Sequence, residues 1–344
     1  MFQRILVPLD GSEGAERAIP VAARIARATG GSIVFIRVVV APADRGTYAA
    51  GAHGTIAAKP EAEVSDKELA EAASYLVATM AAYTGDLAGI RTETDVASGA
   101  TSSTIFSAAR DAHVDLLVMC SHGETGFKRW VLGSVAHEAV RHSPVPVLVL
   151  HEQGKMLPVP DVAHPLRVLV PLDGSALAET ALKPAAQLLA ALAAPAQSEV
   201  HLLRVVDLPP AYGHMKSQAH IPDSLQEEER REAETYVQAV ADRLRETSFA
   251  ETLKLNVTSS VAVSTDVAGT ITRLADAERS AGYDLIVMAT HGHGGLRHLV
   301  LGSVTERVLD ATLLPLLIVR PKEPGETVHV EMTEVEIQSW PGLL

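Results

Sequence analysis

Two stretches of this chain occur twice. Met119-Cys120-Ser121-His122-Gly123, nine residues, then Gly133-Ser134-Val135 returns as Met288-Ala289-Thr290-His291-Gly292, nine residues, then Gly302-Ser303-Val304. Arg4-Ile5-Leu6-Val7-Pro8-Leu9-Asp10-Gly11-Ser12 returns as Arg167-Val168-Leu169-Val170-Pro171-Leu172-Asp173-Gly174-Ser175. Repetition of both ends of a unit makes the chain two copies of one domain. Asp10 and Asp173 lie 163 apart and His122 and His291 lie 169 apart, so the second copy carries about six extra residues in between. A length of 344 residues agrees with two domains of roughly 150 each. The Pro- and Gly-containing stretch 152–165 reads as a linker between copy one, 1–151, and copy two, 166–321, with a tail at 322–344.

Within each copy the apolar pattern switches between strand and helix periods. Residues 4–7 form a short β-rich run, and 15–28 carry apolar residues at helical spacing. Residues 32–40 and 201–206 read as the second strand, followed in copy one by a Gly-, Ala- and Pro-rich loop. The spacing predicts a helix over 65–83 with Leu69, Ala73, Leu76 and Met80 on one face, a role taken in copy two by Ala233, Val237, Val240 and Leu244. A shared Glu-Ala-x-x-Tyr, from Glu71 to Tyr75 and from Glu232 to Tyr236, sets the register. A third strand at 91–97 or 255–262 leads to a helix near 101–112 or 267–281. The apolar runs 114–119 and 283–288 suit a central strand covered on both faces. A helix follows each glycine frame, at 134–141 and 303–311, and then a last strand at 145–150 or 314–319. The order βαβαβαβαβ predicts an α/β fold: two tandem copies of an open five-stranded parallel sheet with helices on both faces.

Composition narrows the classes of function. The chain is 47% hydrophobic, yet no apolar run reaches the roughly 18 residues that spanning a membrane needs, and the excess is largely alanine. The N-terminus meets Pro8 and Asp10 after only a few apolar residues, unlike a signal peptide, so a cytoplasmic location is expected. The single cysteine, Cys120, excludes an intramolecular disulfide and a Cys-based zinc site. It reads as a small packing residue or as an oxidant sensor. With 42 acidic against 29 basic side chains the formal charge is −13, which repels a phosphate backbone, so neither nucleic acid nor membrane is expected as a partner.

In an open parallel sheet, ligands sit beyond the carboxyl ends of the strands, where strand order reverses. Asp10 and Asp173 follow the first strand of their copies, where a carboxylate either reaches a ribose hydroxyl or caps the next helix, as Ser12 also could. Gly123 lets a ligand approach the backbone, and Gly133 does so just before a helix whose first N–H groups lack partners. Such a helix end carries about half a positive charge and binds phosphate without a lysine. Ser134 adds a hydroxyl, and Gly292, Gly302 and Ser303 repeat the arrangement. In one copy alone these glycines read equally as turn formers; recurrence at the same spacing points to phosphate. Lys128, Arg129 and Arg297 lie between the glycines, either to screen a triphosphate or as surface charges.

Other motifs are missing. The chain has no Walker loop, no strict Gly-x-Gly-x-x-Gly and no Gly-x-Ser-x-Gly elbow. His137, Glu138 and His142 have a spacing of five rather than four, and Thr305 and Asp310 stand in the matching stretch of copy two, so a solvated helix face is expected rather than zinc. Of His291, His293 and His298 only the first has a histidine counterpart in copy one, His122, with Glu124 or Thr125 and Trp130 near the other two positions. Metal binding is therefore not a shared property, and no metal site is expected. No general base is evidently aimed at a water, so no catalytic residue is assigned.

With these paired motifs and a closing Pro-Val-Pro-Val-Leu-Val, the chain resembles the universal stress protein family, as a tandem member of its nucleotide-binding branch. The resemblance implies an adenine-nucleotide alpha hydrolase-like fold and ATP as ligand, with Mg2+ as its companion. On matching positions it implies that the turns Pro8-Leu9-Asp10 and Pro171-Leu172-Asp173 meet the ribose and that the backbone of Val38 and Val205 meets adenine. It implies that Met119 and Gly123, with Met288 and Gly292, flank the nucleotide, and that Gly133, Ser134 and Val135, with Gly302, Ser303 and Val304, hold the phosphates. The family's glycine frame often begins with glycine, where this chain has Cys120 and Ala289, both small. Family members usually dimerise through the last strand, so the resemblance implies internal pairing of the two copies and further association into a homodimer.

The expected function is an ATP-binding stress-response or regulatory protein with little or no turnover, whose nucleotide alters its surface for a protein partner. The alternatives are a slow ATPase or nucleotide-transferring enzyme of the same fold group, and a scaffold with vestigial sites. In the tail, Val328, Val330 and Met332 alternate with polar residues, which suits an edge strand or a disordered acidic segment.

Overall fold

A computed structural model describes residues 2–41, 64–121, 132–161, 164–193, 197–207, 223–247, 250, 255–276, 282–290 and 301–321. Copy one runs β1 (Arg4–Pro8), α1 (Glu13–Glu16), α2 (Ala18–Thr29), β2 (Ser32–Val39), α3 (Asp66–Ala82), α4 (Thr84–Leu87), β3 (Arg91–Ser98), α5 (Thr101–Asp111), β4 (Leu116–Cys120), α6 (Ser134–His142) and β5 (Val147–Leu150). Copy two repeats this as β6 (Leu166–Leu172), α7 (Ala176–Glu179), α8 (Leu182–Ala193), β7 (Ser198–Asp207), α9 (Asp223–Arg245), β8 (Leu255–Ser264), α10 (Val267–Ala275), β9 (Leu285–Ala289), α11 (Ser303–Ala311) and β10 (Leu316–Val319).

Strands are parallel within each copy, and the two sheets fuse into a single ten-stranded sheet ordered β3-β2-β1-β4-β5-β10-β9-β6-β7-β8. The joint is an antiparallel ladder in which Val147, Leu148 and Val149 pair with Ile318, Leu317 and Leu316. The copies thus pair internally through their last strands. Every residue of β4 and β9 is buried, as strands covered on both faces require. One apolar layer gathers Ile5, Phe35 and Val118 with Val168, Leu202 and Val287 under α2 and α8. The other gathers Leu6, Ile36 and Met119 with Leu169, Leu203 and Met288 under α5, α6, α10 and α11. Both layers run through the joint, so the two copies share one core.

Local chemistry explains where the elements depart from expectation. The helix expected over 15–28 is broken at Arg17 into α1 and α2. Pro20 lacks the N–H that a continuous helix would donate to Glu16, and is tolerated only in a first turn. Pro184 has the same place at the start of α8. The last strands are shorter than expected because Pro146 and Pro315 cannot donate to a ladder; their carbonyls accept instead from the Leu117 and Ile286 N–H groups. α3 starts at a capping box of Ser65 and Glu68 and turns Ala72, not Ala73, inward with Leu76, in register with Ala233 of α9. The end of the helix expected over 267–281 and the tail at 322–344 lie outside the described residues.

Candidate functional site

Strand order reverses between β1 and β4 in copy one and between β6 and β9 in copy two, which opens a crevice at the carboxyl end of each pair. The turn leaving β1 is built on Asp10. Ser12 donates its N–H (3.0 Å) and its hydroxyl (2.7 Å) to Asp10 Oδ1, and Ser12 Oγ accepts the Ala15 N–H as N-cap of α1. Ser175, Asp173 and Ala178 repeat this at 2.9, 2.6 and 3.1 Å. The capping role therefore belongs to the serines, and each aspartate orients the serine hydroxyl. Gly11 at φ +97° and Gly174 at φ +87° occupy the left-handed region that this turn requires.

The second glycine of the frame, Gly133, lies across the crevice of copy one from the Asp10 turn. The Gly133 N–H donates to the Ser121 carbonyl (2.7 Å) and the Gly302 N–H to that of Thr290 (2.8 Å), which returns each excursion to the strand end it left. Gly133 and Gly302 are the N-caps of α6 and α11, and no side chain among the described residues caps either helix. Their backbones are ordinary extended conformations (φ −59° and −61°), so what glycine provides here is the missing side chain. The first N–H groups of α6 thus lie at the crevice with the positive end of the helix dipole behind them, and α11 starts in the same uncapped way.

A cavity of about 1390 Å³ connects these parts in copy one. Pro8, Leu9, Asp10, Val38, Met119, Gly133, Ser134 and Val135 all line it, so it brings together every expected site residue of that copy except Gly123, which lies outside the described residues. The space exceeds the roughly 300–1,000 Å³ of ordinary small-molecule clefts. In copy two Pro171 and Leu172 end β6 with Asp173 next, Val205 lies on β7, Met288 on β9, and Gly302, Ser303 and Val304 start α11. Gly292 lies outside the described residues, as do Lys128, Arg129, Arg297, His291, His293 and His298.

One group at this site was not anticipated from the sequence. Arg37 of β2 lines the cavity, with its guanidinium carbon 4.5 Å from the ring centroid of Tyr75 on α3. The Tyr75 hydroxyl donates to Glu16 Oε1 at 2.8 Å. A Cβ on Gly11 would fall 2.6 Å from Arg37 Nη1, so the guanidinium lies against the Asp10 turn. Copy two repeats the tyrosine–glutamate pair: Tyr236 donates to Glu179 Oε1 at 3.0 Å, and Arg243, which is not the counterpart of Arg37, pairs with the other oxygen of Glu179. Burial lowers the Arg204 pKa, opposed by Asp173 and Tyr236. Burial and the adjacent glutamates push both tyrosines up. The available signal was a lone charge inside an apolar strand, repeated at Arg37 and Arg204, together with the repeated tyrosine.

Cys120 ends β4 inside the cavity wall, and burial pushes its thiol up to about 12. Among the described residues no cluster of His, Cys, Asp and Glu is placed to hold a metal ion, and no helix is long and apolar enough to cross a membrane. The helix face of His137 is not simply solvated. Alignment on Gly133 and Gly302 matches His137 with Glu306, rather than with Thr305, and His142 with Ala311, rather than with Asp310. His137 faces Glu306 itself at 3.4 Å across the joint, while His142 stays beside Glu138.

The sequence profile of the universal stress protein family matches residues 1–151 and 166–320. A universal stress protein of Mycobacterium tuberculosis is 29% identical over 212 residues, 60% of this chain and 62% of that relative. The chain thus spans about three fifths of the length of the curated relatives it matches first. A universal stress protein of Methanocaldococcus jannaschii is 27% identical over 155 residues, 45% of this chain and 85% of the relative. The fold is similar to the crystal structure of a universal stress protein from Archaeoglobus fulgidus, with a TM-score of 0.59 at 19% identity over 94% of this chain and 99% of that one. Profile, relatives and fold agree, and the chain belongs to the universal stress protein family as a tandem member with two copies of the family domain.

Proposed function

We propose that each copy binds an adenine nucleotide, ATP foremost, and that the protein is a nucleotide-dependent regulatory protein of the stress response with little or no turnover. The observation that carries this reading is the cavity that joins the Asp10 turn, the Val38 strand end and the uncapped start of α6 at a point of strand reversal. In this reading Asp10 and Asp173 meet the ribose, and the backbone of Val38 and Val205 meets adenine. Met119 and Met288 flank the base, and Gly123 and Gly292 let the ligand approach. The N–H groups and hydroxyls at Ser134, Val135, Ser303 and Val304, after Gly133 and Gly302, hold the phosphates. Magnesium enters with the phosphates rather than on a protein cage.

Little turnover is the reading of the groups at the start of α6, which are N–H and hydroxyl donors that hold charge without taking a proton from water. Glu138 and His142 line the same cavity further along the helix and are the groups a slow ATPase would use. Asp10 Oδ1 already accepts twice from Ser12, and His137 faces Glu306. A bound nucleotide reshapes the rim of the crevice for a protein partner, two chains associate, and the protein acts in the cytoplasm.

The test is to denature freshly purified protein and to identify and count released nucleotide by chromatography and mass spectrometry, with calorimetric titration of ATP and magnesium beside it. One ATP for each copy is expected. No released nucleotide together with no calorimetric binding would overturn the proposal in favour of a scaffold, and steady turnover of several ATP per second would overturn the non-enzymatic part.

A further inference from the structure

The two copies meet through equivalent elements: β5 against β10, α2 against α8, and α6 beside α11. Such a joint is the self-complementary kind that two identical domains would form. The β5–β10 ladder cannot tell the copies apart, because Val147-Leu148-Val149-Leu150 and Leu316-Leu317-Ile318-Val319 are both wholly apolar and buried. The charges beside it can. On α6 the joint carries His137 and Arg141; on α11 the matching positions are Glu306 and Asp310. Arg141 Nη2 donates to Glu306 Oε1 at 2.6 Å, and His137 Nε2 lies 3.4 Å from the same oxygen. Asp310 feels both: Glu306 pushes its pKa up after burial does, and His137 and Arg141 pull it down. Arg141 and Glu306 are 28% and 35% exposed, so water screens them only in part.

The opposite face of the sheet is asymmetric as well. Arg24 of α2 donates to the carbonyls of Leu157 (2.7 Å) and Pro158 (2.8 Å) in the connecting segment and to that of Leu192 on α8. Its counterpart in copy two is Gln187.

We propose that this divergence is a pairing code: the joint surface of copy one is specific for the acidic surface of copy two and rejects another copy one. Two copies of α6 face to face would set Arg141 against His137 of the other copy, at the position where Glu306 now stands, and so take that carboxylate from the guanidinium. Two copies of α11 would set Glu306 and Asp310 against their own kind. Like charges brought together in a partly dehydrated joint discriminate against the wrong partner even where the apolar contacts are equal. The connecting segment raises the local concentration of the correct half but does not itself choose it. The code therefore excludes joints between two copies one or two copies two of different chains, and the connecting segment favours the copy two of the same chain.

The test uses the full chain, refolded from urea over a series of protein concentrations and followed by sedimentation velocity and by its urea midpoint. Arg141→Glu and Glu306→Arg each place like charges in the joint, and the double swap restores opposite signs. The expected result is a lower midpoint and larger, exchanged species for each single variant, with both properties returned toward wild type in the double. Single variants that keep the wild-type species and midpoint, or a double variant no better than the singles, would overturn the proposal. Should a charge reversal fail to fold, Arg141→Gln and Glu306→Gln carry the test: equal and non-additive losses of midpoint support the code, and unchanged midpoints sink it.

Discussion

Arg37 on β2 lies over the ring of Tyr75 on α3, 4.5 Å from its centroid, and the same ring donates its hydroxyl to Glu16 at the start of the fold. Cation, ring and carboxylate thus tie three elements together beside the Asp10 turn. Tyr75→Phe should cost about 1 kcal/mol, the usual net worth of one hydrogen bond, read as a lower urea midpoint with unchanged slope. Arg37→Leu should weaken nucleotide binding in copy one while leaving copy two intact. Arg37→Lys should fall between, because an ammonium keeps the charge but lacks the flat face that stacks. Calorimetry on the three proteins checks the order, and equal affinities would show that Arg37 serves packing alone.

Gly133 and Gly302 offer a clean test of the phosphate frame. Both have extended backbones open to any residue, so a side chain there changes the approach to the helix N-terminus without straining the chain. Gly133→Val is expected to abolish one nucleotide site, Gly302→Val the other, and the pair together all binding. Thermal midpoints should stay close to wild type throughout. Three variants that still bind at full stoichiometry would move the ligand away from these helices.

The crevice itself is legible in the sequence because its parts are local: a strand, a turn residue and a glycine before a helix, each repeated at fixed spacing. The parallel order and the position of Asp10 follow from that. What helical and strand periods cannot reveal is which polar stripe meets another element. His137 and Arg141 share a stripe that a single helix would leave in water, and only the antiparallel β5–β10 joint brings Glu306 to them. Arg37 and Tyr75 likewise become neighbours through the packing of α3 on β2, a contact that depends on tertiary arrangement. Ala72 and Ala73 both fit a helical stripe, and only the register of Ala233 in copy two separates them.

Cys120 is buried and lines the crevice, with its thiol pushed up to about 12 by burial. The thiolate is the reactive form, so the native protein at pH 8 should resist a disulfide reagent, and the unfolded protein should react at once. Colour release before and after adding denaturant measures this. Rapid native labelling that ATP suppresses would instead mark Cys120 as exposed through the crevice, and would restore the oxidant-sensing alternative.

His201 gives copy two a pH dependence that copy one lacks, since Val34 stands in its place. Its Nδ1 lies 2.8 Å from Thr258 Oγ1 and its Nε2 2.7 Å from Ser260 Oγ, so both ring nitrogens are used between β7 and β8. Burial holds its pKa below the ordinary 6.5, with Arg167 acting in the same direction and Glu199 opposing. In the unfolded chain the imidazole takes its proton near pH 6.5, while the folded site requires a lower pH. Between the two values the unfolded state binds more protons, so stability is held above about pH 6.5 and lost as pH falls from there through the folded value. Urea midpoints measured between pH 5 and 7.5 should therefore fall on acidification more steeply for wild type than for His201→Val. The apolar variant also leaves Thr258 and Ser260 to water on an edge strand, which they reach readily. Parallel pH profiles for the two proteins would show that the imidazole is protonated in the fold as easily as out of it.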